Sequence, residues 1–167
     1  EKRGLLDIAH LSRVEVDQFF GIELGEFPAQ IARVAMWLMD HIENVQLGHA
    51  FGLHFTRLPL KKAASIINED ALELDWNEVL PSSDCSFVFG NPPFVGHHLQ
   101  SEKQKNQQLR IMRGVSASGV MDYVANWFFL ASRYVAGSEI RCGFVATNSI
   151  SQGEQPAIMW PKLFSDF

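Results

Sequence analysis

The chain has 167 residues, of which 47% are hydrophobic and 20% are charged, and its formal net charge is −5. This length predicts one domain with a hydrophobic core and leaves too few residues for two domains of ordinary size. The negative charge argues against tight nucleic-acid binding by these residues alone, because the phosphate backbone attracts cationic surfaces. The apolar run at residues 127–130 is too short to cross a bilayer, so no membrane partner is predicted.

The two cysteines are far apart and lie outside any metal-binding pattern. Cys85 and Cys142 form no CxxC pair, and His49 and His54 have no partners at convincing ligand spacing, so no metal site is predicted. Buried thiols are typical of a reducing compartment, and the chain shows no basic-then-apolar leader. We therefore expect a cytoplasmic protein.

Strand-like and helix-like segments alternate along the chain. Strands are predicted at residues 17–23, 65–68, 86–90 and 140–147, and helices at residues 26–47, 76–80, 100–113, 122–135 and after the polar turn at 148–153. The long first helix rests on apolar residues at helical spacing, including Ile31, Val34, Leu38 and Ile42. Alternation of this kind predicts an α/β fold with a parallel sheet and right-handed crossovers.

The most informative segment is Asn91-Pro92-Pro93-Phe94, which follows the apolar strand at residues 86–90. Two consecutive prolines end the strand, because each fixes φ and removes a backbone donor. The chain is thereby held extended at the carboxyl end of a strand, where open α/β sheets bind ligands. An amide before the prolines and an aromatic ring after them suit a planar group that carries an amino nitrogen.

Acidic residues follow the two preceding strands. Glu23 ends the first strand, where a carboxylate can accept hydrogen bonds from both hydroxyls of a ribose, although an acid at a helix N-terminus is an equally good interpretation. Asp70 follows the second strand and suits an exocyclic amine, although an ordinary turn residue is the preferred interpretation of this position taken alone. Three interpretations are open for Asp122: a contact with a cofactor bound at these strand ends, a brace for the NPPF segment, and a helix cap.

A basic stretch follows NPPF and contains Lys103, Lys105, Arg110 and Arg113. Its position next to the predicted site is notable, but a solvated helix face has the same composition. His97 and His98 directly follow the NPPF segment, and an exposed polar loop is the preferred interpretation.

Four segments in this order resemble the successive motifs of S-adenosylmethionine-dependent DNA adenine methyltransferases. They are FGIE at 20–23, NEDA at 68–71, NPPF at 91–94 and GFVATN at 143–148. The extended segments NPPFVG, DYVA at 122–125 and TNSISQGEQ at 147–155 look closer to the large single-chain DNA methylases of bacterial restriction-modification and defence systems. The resemblance implies a Rossmann-like methyltransferase fold with a mostly parallel sheet.

The resemblance also implies roles for matching residues. Glu23 would bind the ribose of S-adenosylmethionine, Leu24 would pack on its adenine, and Asp70 and Ala71 would contact the edge of that adenine. Asn91, which also borders the cofactor, and the carbonyl oxygen of Pro92 would accept hydrogens from the amino group of a flipped target adenine. In the same motif, Pro93 keeps the segment rigid and Phe94 would stack on the base.

One part of the family's pattern is missing. Its glycine-rich cofactor loop belongs upstream of Phe20, but residues 1–16 contain only Gly4. We therefore expect residues 1–167 to be a partial methyltransferase domain, the middle of a larger protein, without the central first strand and its loop. The isolated chain is expected to be inactive, to reach double-stranded DNA through the larger protein, and to offer sheet edges that permit homo-oligomers.

Two alternatives remain open at the level of sequence. In the first alternative, the methyl group is transferred to a protein glutamine or to another nucleobase, since NPPF-like segments suit any planar amide or amidine nitrogen. In the second, the domain is a non-catalytic DNA-binding or assembly module derived from a methylase. The intact Asn91 and Phe94 make this second alternative the weaker one.

Overall fold

The structure, a computed structural model, describes residues 13–51 and 62–166. The predicted glycine-poor segment upstream of the first strand falls largely on residues 1–12, and His54 falls in the second gap, so both lie outside the described residues. The chain divides into two compact units, Glu1–Ala71 and Leu72–Phe167. Within the described ranges, none of the helices combines the length and the apolar character that a membrane span requires.

The first unit is a β-α-β arrangement, as predicted. Strand β1 (Phe20–Glu23) and strand β2 (Ser65–Asn68) pair in parallel, and helix α1 (Glu26–Ala50) lies in the connection between them. The register places Phe20 opposite Ser65 and Glu23 opposite Asn68. Both strands therefore end at the same edge of this sheet, and each ends in a polar residue.

Helix α1 begins after Gly25 and carries Pro28 in its first turn, where the missing backbone donor costs nothing. Ala29, a small residue, is completely buried. The large apolar residues whose spacing predicts the helix are exposed instead: Ile31 is 51% exposed, Val34 is 64% exposed and Leu38 is 47% exposed. The periodic pattern thus predicts the helix correctly, while the face it marks is an apolar surface of this unit.

The second unit contains the remaining strands and helices. They are α2 (Trp76–Val79), β3 (Phe87–Gly90), α3 (Glu102–Ile111), α4 (Ala125–Val135), β4 (Arg141–Phe144) and α5 (Gln155–Asp166). Strands β3 and β4 pair in parallel, with Phe87 opposite Arg141 and Gly90 opposite Phe144. The described strands form two separate two-stranded parallel sheets, β1–β2 and β3–β4. Parallel pairing in both sheets agrees with the predicted α/β fold class.

Several predicted boundaries differ from the observed ones for identifiable reasons. The predicted start of the first strand is instead a 3₁₀ turn (Val16–Gln18), which Gln18 closes by accepting a hydrogen bond from the Glu15 N–H at 2.8 Å. Strand β4 is shorter than predicted because its partner ends at Gly90, where the last ladder bond runs from the Val145 N–H at 3.0 Å. The prolines that follow offer no further donors.

The hydrophobic core of the second unit lies between α3, α4 and α5. Its largest fully buried members include Phe129, Met112, Met121 and Met159. A buried polar network runs beside it, in which Gln108 donates to the carbonyl oxygens of Ser118 at 2.7 Å and Met121 at 3.0 Å. These bonds hold the loop between α3 and α4 in a defined position. The segment that follows this loop therefore also starts from a defined position.

Replacing Ser101 with alanine is expected to lower the free energy of unfolding by about 1 kcal/mol. The Ser101 hydroxyl caps α3 by accepting from the Gln104 N–H at 3.3 Å, and the Gln104 side chain accepts from the Ser101 N–H at 2.9 Å. Urea denaturation measures the change. Ser116→Ala, in an exposed turn, is the matched control, and equal stability of the two variants would contradict the capping assignment.

Candidate active site

The NPPF loop, residues 91–96, begins where β3 ends, as predicted. Pro92 is buried, whereas Asn91, Pro93 and Phe94 are exposed, with Phe94 at 50%. Pro92 thus packs into the unit, while the Asn91 amide and the Phe94 ring remain accessible. This is the arrangement that recognition of a planar ligand requires, because both its amino group and its face must be reached.

Backbone hydrogen bonds hold this loop at both ends. At its start, the Gly90 carbonyl accepts from the Val145 N–H of the segment after β4 at 3.0 Å. Near its end, the Val95 carbonyl accepts from the Tyr123 N–H at 2.9 Å. Between them the Val95 N–H donates to the Pro93 carbonyl at 3.2 Å. The loop is therefore held by two segments that are remote from it in sequence.

Asp122 is the side chain that completes the second anchor. Its Oδ1 accepts from the His97 N–H at 3.0 Å, and the His97 Nδ1 lies 3.7 Å from the same oxygen. Helix α4 begins only at Ala125, so the carboxylate bonds the loop and is not an N-cap. Of the alternatives that the sequence left open for Asp122, the brace has observed contacts and the helix cap does not, while a contact with the cofactor stays a prediction.

The turn after β4 holds Asp122 in place. The Asp122 N–H donates to the Gln155 Oε1 at 3.0 Å, and the side chain of Asp122 is only 16% exposed. Burial by itself would raise the pKa of the Asp122 carboxyl. Hydrogen bonds from the Ser149 hydroxyl and the His97 N–H, with a contribution from Gln155, outweigh burial and hold that pKa below its usual range. The group is therefore an anion at neutral pH.

In the first unit, Glu23 and Leu24 lie at the carboxyl end of β1. The Glu23 Oε1 accepts from the Gly25 N–H at 3.1 Å, which orients the carboxylate at the strand end. A carboxylate has about four lone-pair sites, so acceptor positions remain for a ligand that carries hydroxyl groups. Leu24, beside it, is 68% exposed and offers an apolar surface. This pair fits the ribose and adenine of S-adenosylmethionine in chemical type.

Asp70 and Ala71 follow β2 at the same sheet edge. Because β1 and β2 are parallel and Glu23 lies opposite Asn68, the predicted cofactor residues Glu23, Leu24, Asp70 and Ala71 share one edge of the first unit. Asn91 and Phe94, by contrast, lie with Asp122 in the second unit. The additional contact of Asn91 with the cofactor, implied by the resemblance, stays a prediction.

Asn68 is a residue whose importance the sequence did not reveal. Its Nδ2 donates to the carbonyl oxygens of Glu23 at 3.0 Å and Leu24 at 2.8 Å, and the Glu69 N–H donates to the Glu23 carbonyl at 3.1 Å. The side chain thereby fixes the backbone that presents both predicted cofactor residues. The sequence signal for Asn68 would have been an amide residue at the end of one strand and an acidic residue at the end of the preceding strand.

The basic stretch after NPPF is partly neutralised by neighbouring acids. Arg110 Nη1 lies 2.7 Å from Glu73 Oε2, and Lys105 Nζ lies 2.9 Å from Glu102 Oε1. The bond from Arg110 holds the pKa of Glu73 below its usual value. Over the described ranges, no cluster of three or more His, Cys, Asp or Glu side chains is arranged to hold a metal ion.

Comparison with known proteins identifies the family. The profile described as "MmeI, DNA-methyltransferase domain" matches residues 1–167. DNA methyltransferase A of Bacillus subtilis (strain 168) is 34% identical over 158 residues, which cover 93% of this chain and 18% of that protein. The Type IIL restriction-modification enzyme MmeI, solved in complex with DNA, is 48% identical with a TM-score of 0.88, over 98% of this chain and 22% of the other.

These matches confirm the predicted likeness to bacterial DNA methylases and the partial methyltransferase fold. The chain spans about a fifth of the length of the relatives it matches. Because the family profile covers every residue, the chain belongs to the DNA-methyltransferase domain family of MmeI.

Proposed function

We propose that the protein carrying this chain transfers a methyl group from S-adenosylmethionine to the exocyclic amino group of an adenine in DNA. The observation that carries this proposal is the NPPF loop, which presents an exposed Asn91 and an exposed Phe94 on a buried Pro92. The loop follows a parallel strand in a DNA-methyltransferase domain, which supports DNA as the substrate.

The chemistry explains why an amide and a carbonyl are needed. The lone pair of an exocyclic amino nitrogen is delocalised into the base, so this nitrogen is a poor nucleophile. The Asn91 side-chain oxygen and the Pro92 carbonyl are the two acceptors proposed for the hydrogens of this amino group. Together they favour tetrahedral geometry at the nitrogen, so that its lone pair is no longer delocalised into the base. Catalysis then consists of positioning and electrostatic stabilisation.

Phe94 is proposed to hold the base outside the duplex. An exocyclic amine that is paired inside a helix cannot reach such a site, so the nucleotide must be flipped. Stacking on an aromatic face replaces some of the stacking that the base loses in the duplex. The half-exposed ring of Phe94, three residues after Asn91, suits this role.

S-adenosylmethionine supplies the methyl group, which is activated by a positively charged sulfur. Among the residues of this chain, Glu23 is proposed to accept hydrogen bonds from the ribose hydroxyls, with Leu24 against the adenine face. Asp70 and Ala71 are proposed to meet the edge of the same ring. The orientation of the Glu23 carboxylate by Gly25 and the exposure of Leu24 support this assignment.

Double-stranded DNA is the proposed partner of the full-length protein, in the cytoplasm. The net charge of −5 argues that most phosphate contacts come from residues outside this chain. Self-association through open edges of the two short sheets is a further part of the proposal, and gel filtration of the isolated chain tests it.

The test uses the full-length protein, labelled S-adenosylmethionine and duplexes of mixed sequence. After digestion to nucleosides, the label is expected in N6-methyladenine. Label on cytosine would move the target to another nucleobase, and label on protein would support a glutamine acceptor. No transfer to any acceptor would support the non-catalytic alternative.

Replacing Glu23 with alanine is expected to weaken binding of S-adenosylmethionine by the full-length protein about tenfold, because two hydrogen bonds to one carboxylate are lost. Calorimetric titration measures the dissociation constant. Glu43→Ala, on the exposed surface of α1, is the matched control. The isolated chain is expected to bind the cofactor weakly or not at all, and equal affinity of wild type and Glu23→Ala would remove Glu23 from the site.

A further inference from the structure

We infer that Asp122 is a positioning residue for methyl transfer, which holds the NPPF loop in its working geometry through the backbone of His97. The inference depends on the proposed function, since the loop matters only if it binds the target base. It assigns the β4–α5 turn a role as well, because that turn holds Asp122.

The first step concerns the loop itself. Pro92 and Pro93 have no N–H, so the loop has fewer donors than an ordinary segment of the same length. Its carboxyl-terminal half is tied down where Val95 accepts from Tyr123 and where His97 donates to Asp122. Both partners belong to the residues immediately before α4. The position of Phe94 therefore depends on that segment.

The second step concerns the choice of a carboxylate. A hydrogen bond from a backbone N–H to an ionised acceptor is roughly twice as strong as one between neutral groups. The Asp122 side chain is mostly buried, which strengthens this bond further, because little water competes for it.

The third step connects the brace to the β4–α5 turn. Gln155 accepts from the Asp122 N–H, and the Ser149 hydroxyl bonds the carboxylate. The Ser149 Oγ in turn lies 2.6 Å from the Thr147 Oγ1. Thr147 and Ser149 of the turn and Gln155, the first residue of α5, thus form one connected network with Asp122. This gives a physical reason for the polar composition of residues 147–155, which the proposed chemistry alone does not use.

The experiment compares Asp122→Ala, Asp122→Asn and the control Asp84→Ala, which changes an exposed aspartate, in the full-length protein. In Asp122→Ala, kcat for methyl transfer is expected to fall about tenfold, because a displaced loop presents the base poorly. The dissociation constant for S-adenosylmethionine is expected to stay within twofold. Asp122→Asn keeps an acceptor oxygen for the His97 N–H but loses the charge, so its loss of activity is expected to be smaller than that of Asp122→Ala.

Hydrogen exchange of the His97 amide supplies a readout independent of turnover. We expect the fastest exchange in Asp122→Ala, and a rate between those of the wild type and Asp122→Ala in Asp122→Asn. If Asp122→Ala does not fold, Gln155→Ala is tested in its place. A smaller loss of kcat is then expected, together with faster exchange of the His97 amide. If the variant that folds has the kcat of the wild type and the wild-type exchange rate at the His97 amide, the inference is overturned. A parallel loss of cofactor affinity would also overturn it, since Asp122 would then act on the cofactor. An inactive wild-type protein would instead contradict the proposed function.

Discussion

Replacing Asn91 with alanine is expected to lower the rate of methyl transfer by the full-length protein on the order of 10²–10³-fold, the usual cost of removing one aligned polar group from a reacting centre. The amide side chain is one of the two proposed acceptors for the hydrogens of the target amine. Because Asn91 is exposed, the substitution leaves no buried group unpaired and the fold is expected to remain stable. Single-turnover transfer of labelled methyl groups to DNA measures the rate.

Asn106→Ala is the matched control for Asn91, since it removes an exposed amide from the surface of α3. Its rate is expected to equal that of the wild type. Binding of DNA and of S-adenosylmethionine, measured separately, distinguishes a lost chemical step from lost affinity. An Asn91→Ala rate within a few-fold of the wild type would remove this residue from the proposed mechanism.

Replacing Phe94 with alanine is expected to weaken capture of the flipped base roughly 5- to 150-fold, since base–aromatic stacking contributes about 1–3 kcal/mol. The ring is half exposed, so its removal from the surface has little effect on the core. A duplex with 2-aminopurine at the target position reports the change, because the fluorescence of this base rises when it leaves the stack. A smaller rise is expected with Phe94→Ala than with wild type.

Two further variants test the specificity of that effect. Phe94→Trp keeps an aromatic face and is expected to retain most of the fluorescence change. Leu109→Ala removes an exposed apolar side chain from α3, where Leu109 is 58% exposed, and is expected to behave as wild type. If Phe94→Ala gave the full wild-type signal, base flipping without help from this ring would be indicated.

The local elements were largely predictable. Strand β2 was predicted at its observed bounds, and β3 and α1 nearly so, because apolar periodicity, glycine and proline act over a few residues. The position of the NPPF loop at a strand end followed from the apolar run at residues 86–90 and the two prolines after it. The early end of β4 was not predictable, since it depends on where its partner β3 stops, more than fifty residues upstream.

The exposed face of α1 illustrates a different limit. Helical spacing of Ile31, Val34 and Leu38 identifies an apolar stripe, but it does not say what covers it. In the first unit the buried residues of α1 are the small Ala29 and Gly48, and the stripe stays exposed. The sequence pattern marks surface that favours burial, and only the packing of a particular unit decides which surface is buried.

The sequence by itself determined the family, the order of the motifs and the residue types that suit methyl transfer to a planar amine. It did so because these signals lie within short segments. Only the tertiary structure decided that Asp122 braces the loop through His97, 25 residues away, and that Asn68 holds the backbone of Glu23, 45 residues away. Such hydrogen bonds depend on which distant segments the folded chain brings within about 3 Å of each other, and no local pattern encodes that distance.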